Sequence, residues 1–191
     1  MHGYHDTHGK FPPAVVYGKD GKELYSWRVL ILPFLEEEKL YKDFKLDEPW
    51  DSPHNIRLLD KRPLIYAPPA RREHKIPPTH TYIHVFTGRN TPFESREGHS
   101  IGDIKDGTAN TLLIIEGGKP VPWTKPEDLA YAADQPLPDL DGPFPDIIRI
   151  GFADASVHFI PRKYNETAFR AAITRNGGEN FTIESISCPD R

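Results

Sequence analysis

Cysteine is almost missing from this chain: Cys188 stands alone among 191 residues. A single thiol closes no internal disulfide, so the composition neither requires nor forbids an oxidising compartment. Long apolar runs are also missing. Nothing approaches the roughly 20 residues a membrane-spanning helix needs, and no stretch reads as a signal peptide. As written, the chain is expected to be soluble. Positive charge is not in surplus, with 24 Lys and Arg against 28 Asp and Glu and a formal charge of −4. That balance removes the electrostatic case for nucleic acid or an anionic membrane surface.

Catalytic signatures are lacking as well. There is no G-x-S-x-G elbow and no H-E-x-x-H pair. Gly117-Gly118 follows a predicted strand but lacks the rest of a phosphate loop. Ser26, Ser52 and Ser156 read as caps or turn residues, and Cys188 falls in a tail with no helix N-terminus to activate it. Asp47 and Asp51 form a turn pattern before they form an acid/base pair. No catalytic residue is assigned, and the chain is not expected to be an enzyme.

What the chain does have is aromatic bulk and turn formers. Aromatic residues make up 11% of it, with 20 prolines and 14 glycines. The rings supply enough buried area for a core despite a mean hydropathy of −0.58. The prolines and glycines predict many turns and irregular loops. Residues 1–191 are expected to form a single domain.

Met1 to His8 reads as the end of a helix, closed by Gly9 and by Pro12-Pro13. Eight residues are too few to hold a helix alone in water, so either more chain is expected before Met1 or this end is docked or frayed. Ala14 to Tyr17 is a short apolar run before a turn at Gly18 to Gly21. Ser26 caps a predicted helix with Trp27, Leu30, Ile31, Phe34 and Leu35 on one face, kinked or interrupted at Pro33. Ser52-Pro53 opens a helix to Asp60. Leu64 to Ala67 is read as a short strand, and Arg71 to Lys75 as a basic exposed loop. Thr81 to Phe86 and Thr111 to Ile115 are predicted strands. Residues 120–146 are proline-rich and aperiodic, an irregular surface excursion. Ile147 to Ala153 and Ser156 to Ile160 form a hairpin, and Asn165 caps a last helix ended by Asn176 to Gly178. The fold class is α+β with an antiparallel sheet.

Two side-chain clusters have metal chemistry as an alternative reading. His2, His5 and His8 recur at helical spacing beside Asp6, and imidazoles so placed take zinc. His2 and His8 are nevertheless rotated apart, so dipole complementation and packing is preferred. Asp134, Asp139, Asp141 and Asp146 lie on a flexible loop of the kind calcium favours, with Asp139 and Asp141 nearest each other. The closing glutamate of an EF-hand is missing, which leaves solvated turn carboxylates as the simpler reading. The expected cofactor set is none, with zinc or calcium as the alternatives. Trp50 and Trp123, each beside proline, are expected to lid the core; stacking on a glycan or peptide is the rival role.

Several motifs together resemble a known group. His2-Gly-Tyr-His-Asp-Thr-His-Gly-Lys-Phe-Pro-Pro13 opens the series, followed by Ser26-Trp-Arg-Val-Leu-Ile-Leu-Pro33. Asp47-Glu-Pro-Trp-Asp-Ser-Pro-His-Asn55, Asp106-Gly-Thr-Ala-Asn-Thr111 and Phe152-Ala-Asp-Ala-Ser-Val-His-Phe159 come next. In that order they resemble the bacterial pilin-like domain-of-unknown-function family 1559, whose members usually carry a prepilin-type leader. The resemblance implies a pilin or pseudopilin-like head, with an N-terminal helix end packed on an antiparallel sheet. It also implies work in the extracytoplasmic cell envelope, with other envelope or filament proteins as partners. The leader and hydrophobic helix are absent here, so membrane contact would come only through an upstream helix. The family pattern His-x9-Asp-Gly falls on Phe144, Asp154 and Ala155, keeping the aspartate alone. Alanine is strained in a left-handed turn, so a different turn is expected at Ala155. The reading is a non-enzymatic structural or interaction module. Its rivals are a metal-dependent hydrolase at the histidines and a glycan- or peptide-binding module.

Overall fold

A computed structural model describes residues 1–69, 76–179 and 181–187. The basic stretch Arg71 to Lys75 and Cys188 lie outside them. The contacts divide the chain into two compact units. The first comprises Met1–Thr81, Ser95–His99 and Pro120–Glu127, and the second comprises Tyr82–Glu94, Ser100–Lys119 and Asp128–Arg191.

The first unit is made of short pieces. Helix α1 (His2–His8) ends at Gly9, whose φ is 74° and whose N–H donates to His5 O at 2.7 Å. Rings hold this short helix: Tyr4 stands edge-on to Phe34 at 5.9 Å, and His2 and His5 face Phe11 at 5.7 and 5.1 Å. Phe11 is fully buried. Gly98, at φ 75°, is required beside it, because a Cβ there would stand 1.9 Å from the Phe11 carbonyl oxygen.

Strands β1 (Val15–Tyr17) and β2 (Glu23–Ser26) form a small antiparallel hairpin around the turn expected at Gly18 to Gly21, with β2 not foreseen. Ser26 then caps as expected, its Oγ accepting from the Arg28 N–H. The helix it opens is shorter than its apolar stripe suggests. α2 (Trp27–Leu30) makes one turn, and Pro33 starts a 3₁₀ helix over Leu32–Leu35. Proline has no N–H to continue the α-helical ladder. The buried set is Trp27, Val29, Ile31 and Leu32, while Leu30, Phe34 and Leu35 are half-buried. Helix α3 (Glu38–Asp43) follows. Ser52 Oγ accepts from the Asn55 N–H at 3.1 Å, but the segment that follows, Asn55–Lys61, is 3₁₀ rather than α and takes His54, not Ser52, as its N-cap.

Leu64 to Ala67 is not a strand. Leu64–Tyr66 forms a 3₁₀ turn that buries Tyr66 and leaves Leu64 and Ile65 in solvent. Tyr66 stacks on Trp123 at 5.8 Å, Phe44 meets the same indole edge-on, and Trp27 meets Tyr66. Trp123 is fully buried and donates from Nε1 to Leu59 O at 3.1 Å. Burial in this apolar nest pushes the Tyr66 hydroxyl well above its ordinary pKa.

The second unit is built on a sheet of order β3-β5-β7-β8. Its strands are β3 (His80–His84), β5 (Leu112–Pro122), β7 (Ile147–Phe152) and β8 (Val157–Pro161), and the chain crosses from one unit to the other within β3 and β5. The β5–β7 and β7–β8 pairs are antiparallel. A separate two-residue pair, β4 (Phe86–Thr87) with β6 (Leu129–Ala130), runs parallel. Along β7, Ile148, Ile150 and Phe152 point inward, and they pack with Leu112, Ile115, Ile160 and helix α4 (Glu166–Ile173). Asn165 caps α4 through its Oδ1. The helix stops at Ile173, before the glycines expected to end it, and a further turn, α5 (Ile183–Ile186), adds Ile186 to the core.

Residues 120–146 are only in part a surface excursion. They contain the end of β5 and all of β6, and they bury Val121, Trp123, Leu129, Tyr131 and Leu140. Gly117 explains one approach of this segment: a Cβ there would lie 2.7 Å from Leu140 O. The Gly117-Gly118 pair therefore serves chain packing.

Candidate functional site

The histidines near the N-terminus are engaged with rings and backbone. His8 stacks on Tyr4 at 4.0 Å and donates from Nδ1 to Tyr4 O at 3.0 Å. His2 and His5 lie against Phe11, and His5 Nδ1 is 3.8 Å from Asp6 Oδ1. The acidic loop is likewise turned on itself. Asp139 Oδ1 accepts from the Asp141 N–H at 2.8 Å, and Asp141 stands 3.4 Å from Arg162. Asp134 and Asp146 are exposed. Among the described residues no three His, Cys, Asp or Glu side chains gather closely enough to hold a metal ion. Trp123 is sealed in the core and offers no face to a ligand, whereas Trp50 is half-buried.

The motifs that carried the family resemblance become backbone clamps. Asn55 is fully buried, and its Oδ1 accepts from Lys45 N while its Nδ2 reaches the Lys45, Glu48 and Pro49 carbonyls. One side chain thus satisfies a loop that has no ladder to satisfy it. The Asp106 carboxylate accepts from the N–H groups of Gly177 and Gly178 at 2.7 and 2.9 Å. The Ala153 and Asp154 N–H groups donate to the Thr111 and Thr108 carbonyls, which ties the last two motifs together. The hairpin turn keeps Ala155 at φ 70°, contrary to the expectation of another turn. Asp154 Oδ1 compensates by accepting from Ser156 N at 2.9 Å.

Two buried polar groups were not foreseen. Arg28 is fully buried, with its guanidinium 5.0 Å from the Trp27 ring and Nη1 donating to Ser26 Oγ at 2.7 Å. His84 and Asp128 have side chains 2% exposed, with Nδ1 3.6 Å from Oδ1. His84 Nε2 donates to Lys119 O, and Asp128 Oδ1 accepts from Val85 N. An imidazole beside a carboxylate is an acid/base pair in form, but this one faces protein on all sides and works as a brace. In the sequence His84 is one polar residue in an alternating strand, and nothing there marks Asp128 as its neighbour.

Two features of the described residues lie open to solvent near polar groups. In the first unit a groove of about 650 Å³ is lined by Tyr17, Lys19, Lys22, Leu24, Leu46 and Asp47. Its polar groups do not converge: Lys22 pairs with Asp20 at 3.1 Å, and the Tyr17 ring is covered by Arg96. In the second unit the outward side of β7–β8 shows Val157 and Phe159, 57% and 60% exposed. Beside them Arg149 donates from Nε to Glu116 Oε2 at 2.6 Å and covers the Phe144 ring. Burial pushes the Glu116 carboxyl up and Arg149 pulls it back. The result is a charge-neutral, apolar strip ending at the sheet edge.

A family model described as "Protein of unknown function (DUF1559)" matches residues 1–140. The chain belongs to that family. Comparison with curated proteins and with solved structures gives no match. The DUF1559 match includes every residue of the first unit, and it ends at Leu140, ahead of β7, β8, α4 and α5. The clamps at Asn55 and Arg28 thus lie inside the matched stretch, and the apolar edge lies beyond it.

Proposed function

We propose that this DUF1559 protein is a non-enzymatic structural or interaction module of the bacterial cell envelope, pseudopilin-like and without a resident metal or cofactor. One observation carries the reading. The residues whose chemistry invites a catalytic role, from His2, His5 and His8 to Asp106 and the His84–Asp128 pair, are engaged with the chain's own backbone and rings. The pilin-like part rests on the ordered motifs and on α1, a short helix laid against Phe11 and Phe34. Neither ring belongs to a strand. Partners would be other envelope or filament proteins. No helix among the described residues is long and apolar enough to cross a membrane, so attachment would need a helix outside residues 1–191.

Protease accessibility tests the location. The gene product, tagged and expressed in its own bacterium, should be cut in cells with a permeabilised outer layer while a cytosolic control survives. Protection until the inner membrane is broken would reject the envelope assignment. Zinc analysis tests the other half: stoichiometric zinc lost in His5→Ala and His8→Ala would replace this reading with the metal hydrolase.

A further inference from the structure

Strand β8 closes one side of the sheet, and its pairing with β7 shows which backbone groups are left over. Phe152 N donates to Ser156 O and Arg162 N donates to Asp146 O, so Ser156, His158, Ile160 and Arg162 turn their backbone toward β7. Val157, Phe159 and Pro161 therefore turn theirs outward. Among the described residues nothing pairs with those outward groups. The same Val157 and Phe159 carry the exposed apolar side chains. Edge strands are usually guarded by charge, by proline or by brevity. Here Pro161 removes one donor at the far end, and no Lys, Arg, Asp or Glu lies between Ser156 and Pro161.

We infer that β8 is a self-pairing edge, where two copies of this chain join β8 to β8 antiparallel about a two-fold axis. In the register that uses both outward N–H groups, Val157 of each copy faces Phe159 of the other, giving four hydrogen bonds. Directly opposed residues share a face, so the four side chains form one apolar stripe. A second copy is the occupant because the edge is complementary to itself in charge. Asp154 precedes it and Arg162-Lys163 follow it. Antiparallel pairing brings Asp154 to the Arg162-Lys163 end of the second copy, where Lys163 is exposed and Arg162 is held by the Leu140 and Phe144 carbonyls, whereas parallel pairing would set like against like. The two-fold contact closes after two copies, consistent with the usual symmetry of homodimers. This inference does not depend on the envelope assignment, and its test is made on purified protein.

Sedimentation equilibrium of the full chain under reducing conditions, which keep Cys188 from cross-linking, should show a monomer–dimer equilibrium. Phe159→Lys and Val157→Lys should each weaken it by about tenfold or more. Their thermal melts, taken at concentrations where the wild-type chain is monomeric, should stay unchanged, because both side chains are more than half exposed in the single chain. Ile65→Lys, at an exposed apolar site elsewhere, should leave the dimer intact. Amide exchange at Val157 and Phe159 should slow as concentration rises. A chain that stays monomeric, oligomers that grow without limit, or a dimer unaffected by both lysines would overturn the proposal. If either variant melts early, the amide exchange decides, and unprotected Val157 and Phe159 amides in a dimer would overturn it.

Discussion

Among the described residues of the first unit no α-helix exceeds the seven residues of α1, and the centre is a nest of Trp27, Phe44, Tyr66 and Trp123 with a buried guanidinium beside it. In the second, β5, β7 and β8 pair antiparallel, with one register shift in β5 between Leu112 and Ile114, and α4 lays Phe169, Ala172 and Ile173 on an aliphatic layer. Backbone polar groups must be satisfied in both. A sheet does this by its own ladder, so its side chains are free to be interchangeable apolar residues. A unit of turns must recruit particular polar side chains, and Asn55, Ser52, Arg28 and Ser26 are those recruits. Such residues are individually demanding, which fits a family match that takes in the whole of the first unit and stops before β7.

That contrast can be broken by exchanging the kinds of damage. Phe169→Ala should cost the second unit about 4 kcal/mol in urea unfolding, through lost burial and the cavity left behind. Asn55→Leu should cost the first unit about 3 kcal/mol, although it adds apolar volume, because it leaves the Lys45 N–H and three carbonyls without their partner. Ile150→Val, a purely apolar trim, should cost only about 1 kcal/mol. A neutral Asn55→Leu would mean that the loop finds other partners, and the distinction between the units would collapse.

The same division explains what was legible in the residues alone. Local devices were readable: Gly9 as a helix stop, Ser26 and Asn165 as caps, and the β7–β8 hairpin from the apolar runs that flank Asp154-Ala155. Each is decided within a few residues. The 3₁₀ turn at Leu64–Tyr66 was not, because three apolar residues fit a strand or a tight turn equally. Pro33 was recognised as a break, yet the stripe around it overstated α2. Residues 120–146 looked like surface because they lack periodicity, and tertiary contacts buried Trp123 and Leu140 regardless. Of the candidate site residues, the engagement of His8 with Tyr4 was within reach of an i, i+4 argument. The His84–Asp128 brace, the burial of Arg28 and the exposure of Phe159 depend on residues brought together only by folding.

A matched pair of caps sharpens the comparison at lower energy. Asn165→Ala should cost about 1 kcal/mol, the ordinary loss of one N-cap. Ser26→Ala should cost about 2 kcal/mol, because the same Oγ accepts from the Arg28 N–H and from the buried Arg28 Nη1. Equal losses would remove the claim that caps in the first unit do double duty. In the hairpin, Ala155→Gly should raise stability by about 0.5–1 kcal/mol. It relieves a Cβ held at φ 70°, partly offset by a more flexible unfolded chain.

The smallest effect concerns two carboxyl groups of the second unit whose pH dependences oppose one another. Hydrogen bonds from the Ser156 hydroxyl and N–H hold the Asp154 carboxyl below its ordinary 3.8. Its stabilising contribution is therefore complete above that value and is lost as pH falls through the lower, folded one. Desolvation raises Glu116 above its ordinary 4.5 despite Arg149, so its contribution is present below 4.5 and lost as pH rises through the folded value. Acidification thus weakens the turn while relieving the sheet. Asp154 is exposed, which limits its share to about 0.5 kcal/mol or less. Carbon-detected titration should place the Asp154 midpoint below 3.8, and Ser156→Ala should move it upward. Glu116→Gln, which removes the opposing group, should make the loss of thermal stability on acidification steeper. If Ser156→Ala leaves the Asp154 midpoint where it was, the turn is not held by these bonds, and the strain at Ala155 must be offset elsewhere.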